Sequence, residues 1–199
     1  GFATKIYDAD NNEIQTLSSA GANRTYVTID QIPINLQHAF IAIEDERFYE
    51  HNGIDMKGIL RAASITLSSG HMSQGASTIT QQLIKNNVFN AYNESDIEKI
   101  KRKVQEQYLA IKLETVMSKK SILENYLNTI NLGNGYYGVQ AAAKGYFNKD
   151  VSELSLSECA VIASITKSPT GLNPIRHADR NRDRQSQVLL NMKDQGYIS

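Results

Sequence analysis

One cysteine, Cys159, is present in 199 residues. A lone thiol excludes an internal disulfide. Its setting, Cys159-Ala160-Val161-Ile162-Ala163, reads as a small buried residue. No run of about 18 apolar residues occurs, so the sequence offers no candidate spanning helix. No signal-peptide pattern is present either. Charge of one sign is also missing. The 21 basic and 21 acidic side chains cancel, and no nucleic-acid partner is expected. The four histidines, His38, His51, His71 and His177, are not at metal-ligand spacing, so no metal site is expected. No required cofactor is expected. What charge bias exists is local: Lys99, Lys101, Arg102 and Lys103 form one basic cluster, and Arg176, Arg180, Arg182 and Arg184 another.

The length suits one domain, and 41% hydrophobic residues are enough to bury a real core. Lys5–Asp8 and Glu13–Leu17 flank the polar stretch Ala9–Asn12, which predicts a hairpin. Arg24–Ile29 is expected as a further strand. From Pro33 the pattern turns helical, with Leu36, Ala39, Phe40 and Ile43 at helical spacing. Asp55 is placed to cap a helix carrying Met56, Ile59, Leu60, Ala63 and Leu67 on one face. Ser68–Gly75 reads as a mobile loop. Ser77 or Thr78 caps a helix through Ile84. Ser95 with Glu98, and Ser155 with Glu158, are capping boxes. The helix after Ser95 carries Ile97, Ile100, Val104, Tyr108 and Ile111 on one stripe, with Glu106 off it. Further helices are expected at Ser118–Ile130, at Val139–Phe147, from Ser155 to Ile165, and from about Ala178 to Gln195, where Gly196 ends the chain's last helix. The expectation is a mainly α domain with a small β element at its start.

Five blocks stand out. Glu44-Asp45-Glu46-Arg47-Phe48-Tyr49-Glu50-His51-Asn52-Gly53 puts four acids at the exit of an apolar helix. A carboxylate delivered there could meet a substrate from a rigid base. Gly75-Ala76-Ser77-Thr78-Ile79-Thr80-Gln81-Gln82-Leu83-Ile84-Lys85 combines a glycine, helix-start hydroxyls, two amides and a lysine, as an anion site would. Arg102-Lys103-Val104-Gln105-Glu106 sets a carboxylate beside two cations. Lys119–Asn128 and Arg184–Leu189 read mainly as structure.

In this order the blocks closely resemble the five motifs of the family 51 peptidoglycan glycosyltransferases, over roughly residues 25 to 199. The patterns E-D-x-x-F-x-x-H-x-G, G-x-S-T-I-T-Q-Q-x-x-K, R-K-x-x-E, K-x-x-I-L-E-x-Y-L-N and R-x-x-x-V-L match at Glu44–Gly53, Gly75–Lys85, Arg102–Glu106, Lys119–Asn128 and Arg184–Leu189. The resemblance implies a lysozyme-like helical fold acting on lipid II and lipid-linked glycan. Glu44 matches the catalytic base and Glu106 the second essential carboxylate. Lys85 and Lys103 match cations that hold the donor pyrophosphate. Arg102, Gln81, Gln82, Ser77, Thr78, Asp45 and Asn128 are the other expected substrate contacts. The family's arginine shortly before R-K-x-x-E is absent from Asn86–Lys101, and Lys99 or Lys101 is the expected substitute. No ligand cluster demands a divalent cation; for an ion assisting the pyrophosphate, Asp45 is the candidate beside the base.

The resemblance further implies a membrane-facing subdomain at about 54–75 and an N-terminal hairpin or linker at 1–24 that follows a membrane anchor absent from this chain. The expected place is the extracytoplasmic face of a bacterial cell membrane, with a transpeptidase domain as a candidate C-terminal neighbour. The rival reading is a lysozyme-like glycan hydrolase or lytic transglycosylase, which needs a protonated acid rather than a base beside phosphate-binding cations. A non-catalytic wall-binding domain would not require the Glu44/Glu106 pair.

Overall fold

The computed structural model describes residues 4–7, 13–17, 25–69, 75–89 and 94–199. Thr4–Tyr7 (β1) and Glu13–Leu17 (β2) pair antiparallel, Thr4 opposite Leu17. The polar turn expected between them lies outside the described residues, as does the Gly70–Gln74 part of the expected mobile loop. Among the described residues eight α-helices follow: α1 Ile34–Glu44, α2 Met56–Ser69, α3 Ile79–Val88, α4 Asp96–Val116, α5 Lys119–Thr129, α6 Val139–Phe147, α7 Leu156–Ser164 and α8 Ala178–Asp194.

Local chemistry sets the helix ends. Ser95 and Glu98 exchange the two bonds of a capping box: the Ser95 N–H donates to Glu98 Oε2 at 2.8 Å, and the Glu98 N–H to Ser95 Oγ at 3.4 Å. Ser155 and Glu158 repeat it at 2.8 and 3.3 Å. Asp55 starts α2 by accepting from the Gly58 N–H at 3.0 Å. At the end of α8, Gly196 adopts φ +76°. The Tyr197 N–H then reaches the Met192 carbonyl at 2.8 Å and the Gly196 N–H the Lys193 carbonyl at 2.9 Å. That pair of bonds closes the helix on a left-handed glycine.

The chain divides into two compact units, Gly1–Ala39 with Leu127–Ser199, and Phe40–Tyr126. In the first, α7 packs on α8, and Ile162, Val188 and Met192 are wholly buried. Cys159 is buried there too, as expected; burial, then the charge of Glu158, pushes its thiol up to about 12. In the second, α3 packs on α4, and Phe40, Phe48, Ile79 and Leu123 are wholly buried.

One expectation is corrected. No strand forms over residues 25–29; Ile29–Gln31 is instead a short 3-10 turn. The Val27 backbone gives both of its polar groups to one side chain, Asn128, at 2.9 and 2.8 Å, rather than to a neighbouring strand. Helix α4 departs from the usual pattern of a surface helix. An amphipathic stripe ordinarily faces the core. Here Ile97, Ile100, Val104 and Tyr108 are between 60% and 68% exposed, while Glu106 and Ala110 are fully buried. The reason is close backbone approach. Gly53, at φ +93°, lies so near α4 that a Cβ on it would sit 2.5 Å from the Ala110 carbonyl carbon. Only the narrow Ala110 face accepts that contact. On α2, Leu60 and Leu67 are likewise exposed.

Candidate active site

Every member of the carboxylate–amide–cation cluster lies within Phe40–Tyr126. Helix α1 ends at Glu44, and Asp45 follows with its N–H still bonded to the Ile41 carbonyl at 2.9 Å. The Asp45 carboxylate is buried. It accepts from the Ile79 N–H at 2.9 Å and pairs with His51 Nε2 at 2.9–3.0 Å. Ile79 is the first residue of α3, where backbone N–H groups have no intrahelical partner. A carboxylate there satisfies one of them and also meets the positive end of the helix dipole. On His51, Nδ1 accepts from the Gly53 N–H at 3.2 Å, so Nε2 carries the proton that Asp45 receives.

Several of the expected substrate contacts hold the local fold. Both Asp45 oxygens meet His51, and Oδ2 also accepts from the Ile79 N–H. Thr78 and Gln81 are buried. Thr78 Oγ1 accepts from the Gln81 N–H at 3.1 Å and donates to the Gly53 carbonyl at 2.7 Å. Gln81 Oε1 accepts from the Thr78 N–H at 2.9 Å. Asn128, in the other unit, is buried with its amide on Val27. All four were expected at the substrate; each pairs a backbone group that burial would otherwise leave unsatisfied.

Glu44 is half-buried. Its Oε2 accepts from Gln82 Nε2 at 2.8 Å, and Gln82 Oε1 accepts from the Tyr126 hydroxyl at 2.9 Å. Glu106 stands in a different environment. It is wholly buried, and pairs with Arg102 and, at 3.1 Å, with Lys103 Nζ. Arg102 is shared: its Nε also donates to both Glu94 oxygens at 2.8 and 2.9 Å. Burial works against the Arg102 charge, but the bonds to Glu94 and Glu106 outweigh it and raise its affinity for the proton. Lys103 Nζ reaches Ser77 Oγ at 2.7 Å and stays about half exposed. Lys85 is exposed, and no ion pair holds it among the described residues. Lys99, an expected substitute for the family arginine, pairs with Asp96 at 3.0 Å; Lys101 is exposed. Most of Asn86–Lys101 is helical, since α3 runs to Val88 and α4 begins at Asp96.

Sequence reasoning missed a second layer. The Glu114 side chain is buried, accepts from Thr80 Oγ1 at 2.5 Å and pairs with Lys119 at 2.8 Å; Lys119 also lies 4.6 Å from the Phe48 ring centre. Glu94 and Tyr126 were passed over too. An ionisable residue beside an apolar helical face was the one available signal, and it does not name a partner. Among the described residues no three acid, histidine or cysteine side chains are grouped to hold a metal ion.

The model of the family described as transglycosylase matches residues 10–193. Penicillin-binding protein 1A of Escherichia coli (strain K12) is 49% identical over 195 residues, 98% of this chain and 22% of that protein. Penicillin-binding protein 1F of Bacillus subtilis (strain 168) is 45% identical over 197 residues, 99% of this chain and 27% of that protein. A crystal structure of penicillin-binding protein 1A from Haemophilus influenzae aligns with a TM-score of 0.53 at 27% identity, covering 100% of this chain and 19% of that one. The chain thus spans about a quarter or less of the length of these relatives.

Proposed function

The chain belongs to the transglycosylase family, and from that premise we propose that it is a peptidoglycan glycosyltransferase domain that polymerises lipid II into β-1,4-linked glycan. The lysozyme-like fold with its N-terminal β element is part of the same reading. In it, the donor is a growing glycan on undecaprenyl pyrophosphate, and the acceptor is the GlcNAc 4-hydroxyl of lipid II. Glu44 takes the acceptor proton as the oxygen attacks the anomeric carbon, which is worth roughly 10²–10⁴-fold. The α-linked pyrophosphate leaves from the opposite face, so the product is β and the reaction inverts. Lys85 and Lys103 stabilise the charge growing on the leaving group. A divalent ion, where one is present, would accompany the substrate's own phosphates.

The observation that carries this reading is the contrast between the two acids. Glu44 is half-buried and accepts from the Gln82 side-chain amide. Glu106 is wholly buried between Arg102 and Lys103. It is placed to hold cations in position rather than to exchange protons. A glycan hydrolase would need a proton donor and has no use for Lys85 and Lys103 at its site.

The exposed apolar residues of α2 and α4 support a membrane surface as partner, since both substrates carry long lipids. No helix among the described residues is long and apolar enough to cross a membrane. We place the domain at the extracytoplasmic face of a bacterial membrane, within a longer protein whose further part includes a transpeptidase, in keeping with the names of its relatives.

The test is Glu44→Gln, assayed by lipid II polymerisation with mass analysis of the products. Polymer should vanish while the melting temperature holds. Turnover within about tenfold of wild type would overturn the assignment, because a general base contributes more than that. Wild type that makes no polymer from lipid II but shortens preformed glycan would favour the hydrolase.

A further inference from the structure

Tyr126 heads the fully buried side chains by volume. Its ring meets Phe40 edge-on, 6.0 Å between centres and 85° between planes. A phenylalanine would fill this space without a polar group to satisfy. A buried tyrosine hydroxyl needs a partner, and this one donates to Gln82 Oε1 at 2.9 Å. The other end of the same amide donates to Glu44 Oε2 at 2.8 Å. The three groups form one directed chain: hydroxyl to amide carbonyl, amide N–H to carboxylate.

An amide can turn over, since its two ends are nearly equal in size but opposite in bonding. A turned Gln82 would set its carbonyl against Glu44. Tyr126 opposes this by presenting a proton to the carbonyl end. Burial, then the charges of Glu44 and Asp45, raises the Tyr126 hydroxyl well above its ordinary value, so it keeps that proton. A second contact limits the remaining freedom. Asp45, next in the chain to Glu44, holds the Ile79 N–H, three residues before Gln82 on α3. The backbone that bears Gln82 is thereby tied to the backbone that bears Glu44. Within that frame, the Tyr126 hydroxyl selects which end of the amide faces Glu44.

We propose that Tyr126 is a positioning residue for glycosyl transfer, acting through Gln82 to hold the Glu44 carboxylate in the orientation that receives the acceptor proton. This rests on the reading of Glu44 as the base. Tyr126 does not touch the substrate; it acts on the reacting group through one intermediary.

The experiment is steady-state lipid II polymerisation by wild type, Tyr126→Phe, Gln82→Leu, the double variant and Glu44→Gln, each assayed well below its own melting temperature. Tyr126→Phe should lower kcat about tenfold and leave KM within about twofold, as loss of orientation without loss of binding requires. Gln82→Leu should lower kcat at least as much, and the double variant no further than Gln82→Leu alone, because the two act as one unit. Should Tyr126→Phe not fold, 4-fluorophenylalanine at position 126 fills the hydroxyl's volume without a donor, and kcat must still fall about tenfold. A melting point lowered with kcat unchanged would make Tyr126 purely structural and overturn the proposal. So would losses that multiply in the double variant, or a loss confined to KM. An active Glu44→Gln would instead defeat the base assignment itself. An inactive Glu44→Gln beside an unimpaired Tyr126→Phe defeats the relay alone.

Discussion

Arg102→Met should destabilise this domain more than Glu106→Gln, although both break the same ion pair. Glu106 is wholly buried, its side chain 1% exposed, and Arg102 is the better buried of its two cations. Without Arg102, Glu106 keeps only half-exposed Lys103, and Glu94 also loses its bidentate partner. Removing one partner of a buried pair costs about 3–5 kcal/mol, because the remaining charge is left uncompensated. In the reverse change nothing is stranded. Arg102 retains Glu94, and Lys103 retains Ser77 and water. The glutamine carbonyl can still accept from Arg102, so the cost should be about 1–2 kcal/mol. For a chain of this size one kcal/mol moves the melting temperature by roughly 2–4 °C. The expected losses are therefore about 6–20 °C for Arg102→Met and about 2–8 °C for Glu106→Gln. Differential scanning calorimetry at pH 7 measures both. Equal losses, or a larger loss for Glu106→Gln, would refute the claim that Glu106 is a buried anion held by two cations. Both variants should also lose turnover, since the same cluster holds Lys103.

Lys85→Ala should cut turnover more than tenfold while changing stability by less than about 0.5 kcal/mol, because an exposed side chain contributes little to folding; Lys103→Ala should cost up to about 1 kcal/mol more, since it also pairs with Glu106. Normal polymerisation by both in a continuous assay would place the pyrophosphate elsewhere. The double change Ile59→Ser, Leu60→Ser should weaken liposome co-sedimentation and lower activity on membrane-embedded lipid II more than on a short-chain analogue. A lowered melting temperature with unchanged liposome binding would mean these residues serve the interior. Asp55 is held below the ordinary carboxylate value, chiefly by its hydrogen bond to Arg47. A depressed value in the folded chain means the stabilisation is complete above the unfolded value of about 3.9 and is lost as the pH falls through the folded one. Urea melts should thus show Asp55→Asn less stable than wild type at pH 7, with the gap closing below about pH 4; a gap of the same size at pH 3 would contradict this.

The sequence alone determined what depends on near neighbours. Capping boxes join residues three apart, so Ser95 with Glu98 and Ser155 with Glu158 could be read directly, and α4 and α7 begin where they indicate. The delivery of Glu44 at a helix exit was equally local. So was the pairing of Glu106 with Arg102 and Lys103, because residues three and four apart share a helix face. The ordered motifs pointed to the family. Only the tertiary structure decided which polar groups take part in holding the fold. Thr78, Gln81, Asp45 and Asn128 are suited by type to bind a substrate, yet each pairs a buried backbone group, one of them 101 residues away. The same holds for the outward stripe of α4. Periodicity shows that a helix has an apolar face, but the approach of Gly53 to Ala110 chose which face packs. Tyr126 and Gln82 stand 44 residues apart and meet only because α3 and α5 carry them to Glu44. A hydrogen bond needs two partners at one point in space, and a linear pattern records only one of them.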